Sequence, residues 1–187
     1  MQGLGGFKGQ GLSGEKAIPV GYFTALNPGN VAWVCPRAGR YTFTIRGGGD
    51  AGGGGAGNQN GYTGAAAQRT LILGAGQAVQ MVVGTGGSRV HSPLAVNPGT
   101  STTLTFPDGI VMTAEGGNGA TGVVAAATGG DINVAGRATG QPAPAIGAFD
   151  VVPASSSLQV PGAGVGGKND ANNGSGGPGI VYISATY

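Results

Sequence analysis

Apolar and polar residues alternate in short runs along most of this chain, and the three-to-four-residue spacing of an amphipathic helix is nearly absent. In "RYTFTI", Tyr41, Phe43 and Ile45 fall on one side and Thr42 and Thr44 on the other, which predicts a strand with one buried face. The run "AQRTLIL" (67–73) leads through "GAGQ" into "AVQMVVG", where Val79, Met81 and Val83 share a side, and the pair is expected to form a hairpin. "STTLTFPDGIVMTA" predicts a second hairpin. Asp108-Gly109 is a favoured tight-turn pair, with Leu104 and Phe106 before it and Ile110 and Met112 after it. "DINVA" and the terminal "GIVYISATY" add strands, the last apolar enough for burial on both faces. Trp33 belongs to an earlier short strand, "VAWVCP", that Pro36 ends.

Between these strands lie glycine segments at 47–61, 84–87, 116–130, 136–147 and 162–179. Glycine supplies 43 of the 187 residues and proline 11, a share that would suit a disordered chain if charges were many and apolar residues few. Here 9% of residues are charged and 40% are apolar, so a folded domain with a thin core is expected. Glycine does not recur at every third position, which excludes collagen. The run "IRGGGDAGGGGAGNQNG" has two readings. It is a mobile loop, or it is a polyproline-II-like segment whose backbone packs directly on other backbones because no Cβ intervenes. Under the second reading Gly47, Gly48, Gly49, Gly52, Gly53, Gly54 and Gly55 form a structural glycine core. The fold class that follows is all-β: a jelly-roll-like β-sandwich with long glycine-rich loops or polyglycine-II-like segments. Residues 1–20, which hold two of the three lysines and no alternation, predict an N-terminal arm that is either ordered by a partner or, more commonly, a frayed terminus, and 21–187 the glycine-rich β domain. A thin core also predicts a homo-oligomer.

Charge and chemistry exclude more than they suggest. A net charge of +2 implies no nucleic-acid partner, and Arg37, Arg40 and Arg46 are expected on a solvated face. The start of the chain has no apolar central run of a secretory signal, and no stretch is long enough to insert in a membrane. Synthesis in a cytosol, without export by the general route, is the expectation. Cys35 and His91 are each the sole residue of their type, so neither a disulfide nor a histidine-based site is expected within one chain. "GAGVGGKN" (162–169) has the glycine spacing of a nucleotide loop, but "DANNGSGGPG" follows it and cannot open the helix such a loop requires. Asp50 and Asp170 are expected to accept backbone hydrogen bonds in turns. Asp50, Asn58 and Asn60 offer oxygen ligands for calcium, yet no acidic repeat accompanies them, and no metal, cofactor or catalytic group is expected. Tyr62 and Phe149 are candidate surface contacts: aromatic faces stack on sugar rings, and Asn58 and Asn60 could bond the hydroxyls. Plugging a thin core is the plainer role for both rings.

The order of segments resembles the glycine-rich domain of bacteriophage tail-fibre and virion surface proteins. "CPRAGRYTFTIRGGGDAGGGG" is similar to that domain's opening strand and glycine run, and "AAAQRTLILGAGQAVQMVVGTGG" to its central strand pair. "GGNGATG", "TGGDINVAG" and "GSGGPGIVYISATY" resemble its later elements and closing strand. The likeness covers about Val34 to Tyr187. "VHSPLAVNPGTSTTLTF" is longer than the usual connection, and "ATGQPAPAIGAFDVVPASSSLQVPGAG" replaces a nearly pure glycine stretch. The resemblance implies a β-sandwich with glycine-rich helices or loops, an oligomeric fibre or spike, often trimeric, on the virion, and no enzymatic activity. The partners expected beside it are another virion protein, met through the N-terminal arm, and a host-surface glycan. Two other functions compete: a capsid decoration or head-fibre protein that stabilises the shell, and a glycan-degrading enzyme, which would need a carboxylate pair in a groove.

Overall fold

The structure is a computed structural model that describes residues 18–24, 30–52, 61–91, 94–119, 121–138, 146 and 175–186. Among the described residues all regular structure is strand, and the pairing is antiparallel throughout. The strands are β1 (Ile18–Thr24), β2 (Asn30–Val34), β3 (Gly39–Arg46), β4 (Ala66–Leu73), β5 (Ala78–Val82), β6 (Arg89–His91), β7 (Leu94–Val96), β8 (Thr102–Thr105), β9 (Val111–Ala114), β10 (Ala127–Thr128), β11 (Ile132–Val134) and β12 (Ile180–Thr186). One five-stranded sheet has the order β1-β12-β3-β4-β11, a second the order β10-β9-β8-β5-β2, and β6 and β7 pair separately. The strand β1 therefore begins within the segment expected to be an arm.

Alternation gives each sheet one apolar face, and the two faces share a single core. Tyr41, Phe43 and Ile45 of β3, with Val181 and Ile183 of β12, meet Val79, Met81, Leu104 and Met112 of the second sheet. Trp33 packs edge-on against Tyr41 and Phe43 at centroid distances of 5.3 and 5.5 Å, and Phe43 meets Phe106 in the same manner at 5.2 Å. Such edge-to-face pairs add about 1 kcal/mol each to the area they bury. Arg69 of β4 reaches from one sheet to the other. Its guanidinium lies 4.7 Å from the Phe106 ring centre and makes a two-pronged contact with Asp108 at 2.7 and 3.3 Å. Thr102 makes a second bridge, donating to the Arg46 carbonyl at 2.7 Å while its hydroxyl accepts from the Gly84 amide at 3.0 Å.

Two sequence expectations change here. The runs β4 and β5 are not a hairpin, because β4 pairs with β3 and β11 and β5 with β2 and β8. The "GAGQ" link, with Gly76 at φ 84°, carries the chain from one sheet to the other. Alternation specifies which side of a strand is buried and says nothing of which sheet it joins. Arg46 also departs from the solvated face expected of it. It is 7% exposed, on the far side of β3 from the core, in register with Ile180 and Ala66, which pack with Ile146 in a small second cluster. By contrast, the hairpin β8–β9 forms as expected, with Gly109 at φ 81° in its turn, although Ile110 is left 44% exposed.

The glycine run that leaves β3 stays inside the molecule. Gly47, Gly48, Gly49 and Asp50 are all buried, and their amides bond outward to three different segments. Gly47 donates to Ala65, Gly48 to Thr100, Gly49 to Gly177 and Asp50 to Tyr62, at 2.8–3.0 Å. The first and the fourth return to the same segment, the repeat expected of a helix with three residues per turn. Two more segments donate into the run, Gly117 to the carbonyl of Gly48 and Gly87 to that of Gly49. These five segments are also bonded to one another in sequence around the run, through Ala65 to Glu115, Gly99 to Gly117, Thr100 to Thr85 and Gly176 to Gly87. The result is a hub of four residues flanked by an arc of five backbones. A Cβ at Gly48 would overlap the Thr85 carbonyl, and one at Gly47 the Glu115 carbonyl. Gly52 is buried as well, while Gly53, Gly54 and Gly55 lie outside the described residues.

Candidate functional site

The hub ends at Asp50, and the chemistry concentrates there. Its side chain is 2% exposed, yet no arginine or lysine faces it among the described residues that bond to it or shift its acidity. Oδ2 accepts from the Gly119 amide at 2.6 Å, a bond between positions distant in sequence and unlike the local turn contact expected. Oδ1 is buried with no hydrogen-bond donor. Loss of hydration pushes the carboxyl above its ordinary range, against the opposing pull of the Gly119, Ala51 and Tyr62 amides. Asn118, the neighbour of Gly119, also has a buried Oδ1 without a donor. The Tyr62 ring completes this corner: a Cβ on Gly119 would lie 2.5 Å from Asp50 Oδ2 and 3.0 Å from the ring edge. Glycine at 119 is what lets the amide approach the carboxylate.

On the outside of the same corner is a groove of about 470 Å³. Thr100, Ser101, Glu115, Asn118 and Thr121 line it, and Val123 and Val124 stand beside them, 66% and 40% exposed. Most of these polar groups are already anchored. Thr100 Oγ1 accepts from the Thr85 amide at 2.7 Å, Glu115 Oε2 from the Ala126 amide at 2.8 Å, and Thr121 donates to the Asn118 carbonyl at 3.1 Å. Side chains fixed in this way lose little freedom when a polar ligand binds, so hydroxyls, one amide and one carboxylate are presented in a set geometry. The arrangement can bond the hydroxyls of a sugar or the main chain of a peptide. It contains no pair of carboxylates facing across the groove.

Of the contacts expected from sequence, Tyr62 is half-buried at this corner, and its carbonyl accepts from the Asp50 amide at 2.9 Å. Asn58, Asn60 and Phe149 lie outside the described residues, as do the nucleotide-loop look-alike at 162–169 and Asp170. Among the described residues no group of three or more histidine, cysteine or acidic side chains converges, and no helix is long and apolar enough to cross a membrane. Sequence reasoning overlooked Asn118, Gly119 and Glu115. Their only signal was the glycine spacing of "GGNG", which marks a close backbone approach without saying to what. Neither a known family model nor any curated protein matches the chain.

Proposed function

We propose that this chain is a non-enzymatic surface protein of a bacteriophage particle, tail-fibre- or spike-like, acting in virion structure and host attachment. In this reading the two sheets pack as a jelly-roll-like β-sandwich, and the glycine segments run beside them as polyglycine-II helices. The observation that carries it is the hub at 47–50, where the connections that would elsewhere be mobile are bonded to one another backbone to backbone. A rigid platform of that kind holds a polar groove in one shape without a large side-chain core. The order of motifs supports the placement on a virion. The groove at Glu115, Asn118 and Thr121 is then the host-facing contact, and a surface glycan the ligand its hydroxyls and amide suit.

Self-association as a trimer and attachment to another virion protein through residues 1–20 belong to the same proposal. The outward face of the second sheet supports the first of these. It carries Ala32, Val34, Gln80, Val82, Thr103, Thr105, Val111 and Thr113, with no charged residue among the described positions. The test is binding of labelled protein to intact host cells and to empty capsids. Saturable binding to cells, with free protein competing against phage adsorption, is the expected result. Binding to empty capsids alone would favour the decoration protein, and release of reducing sugar from host polysaccharide the enzyme.

A further inference from the structure

We infer that Asp50 Oδ1 and Asn118 Oδ1 belong to a binding site for one hard divalent cation of the calcium class, set between the glycine hub and the groove. Two buried oxygens with unspent lone pairs belong to linked positions: the Gly119 amide holds Asp50 through Oδ2, and Asn118 directly precedes Gly119. A carboxylate taken out of water without a counter-charge is costly, and a neutral acceptor left unbonded adds to that cost. A donor side chain would normally relieve both, yet the donors acting on the Asp50 carboxylate are backbone amides, and none of them bonds Oδ1. A hard cation relieves both at once, because carboxylate, amide and backbone carbonyl oxygens are its preferred ligands.

The surroundings fit that ion better than a softer one. The two unpaired groups are both oxygens, and among the described residues no cluster of histidine, cysteine or acidic side chains converges, which favours a hard ion over zinc or copper. The backbone at the end of the hub adds the carbonyls of Asp50 and Ala51, both close to Gly61. Asn118 also lines the groove, which gives the ion a way in from solvent. A single carboxylate supplies little charge, so the affinity should fall in the weak range of extracellular calcium modules, about 10⁻⁴–10⁻³ M. Asn118 is common to this site and the groove, whereas Asp50 does not line the groove, so D50N separates the ion from whatever the groove binds.

The test uses the full chain stripped of metal with a chelator. Calcium at about ten times its dissociation constant should raise Tm by roughly 3–5 °C, and magnesium by less. Terbium should luminesce when tyrosine is excited, because the Tyr62 ring lies against Asp50, and calcium should displace it. D50N should lose both responses, and N118A should weaken calcium binding about tenfold. If D50N fails to fold, the wild-type chain and N118A still decide. An equal Tm in calcium and in chelator, with no terbium signal that calcium displaces, overturns the site. A terbium signal unchanged in both variants places the ion elsewhere and overturns it equally.

Discussion

Gly48 has its amide on Thr100, its carbonyl on Gly117, and no space where a side chain would begin. Replacing it with alanine puts a methyl group onto the Thr85 carbonyl, a backbone atom that cannot swing aside. Core overpacking commonly costs about 1–3 kcal/mol, and a fixed obstacle belongs at the upper end. G48A should therefore melt well below the parent protein in a thermal denaturation followed by circular dichroism. The opposite result, an unchanged or higher Tm, would mean that the run behaves as a tether, since alanine in a free loop stabilises by restricting the unfolded chain. This contrast was already legible in the sequence at Gly47–Gly49, which follow a well-formed strand with few charges to keep a loop solvated. Which backbones would surround those glycines was not legible. Hydrogen bonds between main chains leave no trace in side-chain identity, so Thr100, Gly117 and Gly177 carried no mark of their shared partner.

Among the elements, β3, β5, β8 and β9 were readable because each alternates about a core whose side chains are large and few, and β12 because its run is apolar on both sides. The connection between β4 and β5 was misjudged for the reason that two strands joined by four residues usually pair, and here the link turns between sheets. Besides the shared core, which takes in Ala67 and Leu73, β4 meets the second sheet through the contact of Arg69 with Asp108 in the β8–β9 turn. The Arg69 guanidinium is the main reason the Asp108 carboxyl is held below its ordinary range, with the Ile110 amide adding to it. An acid with a lowered folded-state pKa stabilises the fold above its unfolded value, about pH 4, and that contribution fades as pH falls through the folded value. D108N lacks this dependence. Its Tm should lie below the wild type near neutral pH, and the two should converge as the solution is acidified below about pH 4. The carboxylate is exposed, so the difference should also shrink in high salt.

At the scale of the molecule, the sheet built from β10, β9, β8, β5 and β2 has an uncharged, partly apolar outer face among the described residues. Val34, Val82 and Val111 are 54%, 40% and 48% exposed on it. If the trimer forms through this face, V82K combined with V111K should yield a monomer by light scattering at micromolar concentration. The fold should persist, because both positions point away from the core. A parent chain that is itself monomeric would count against the proposed assembly, and a double variant that stays trimeric would move the contact to another surface.

The arc around residues 47–50 draws on backbones from residue 62 to residue 177, and so imposes an order on assembly. Gly49 donates to Gly177, which the ribosome adds long after it, and Gly176 in turn bonds to Gly87. Until that later stretch has left the exit tunnel, the run has no complete set of acceptors, and glycine offers the waiting chain no apolar surface with which to collapse early. Contacts this distant in sequence close slowly, since the loop entropy must be met before any bond repays it. Closure of the hub is thereby deferred until residue 177 has been made, and an interrupted synthesis product ending before residue 175 would lack one of the hub's neighbours and remain open to proteases. Only a chain that reaches this stretch closes its own interior.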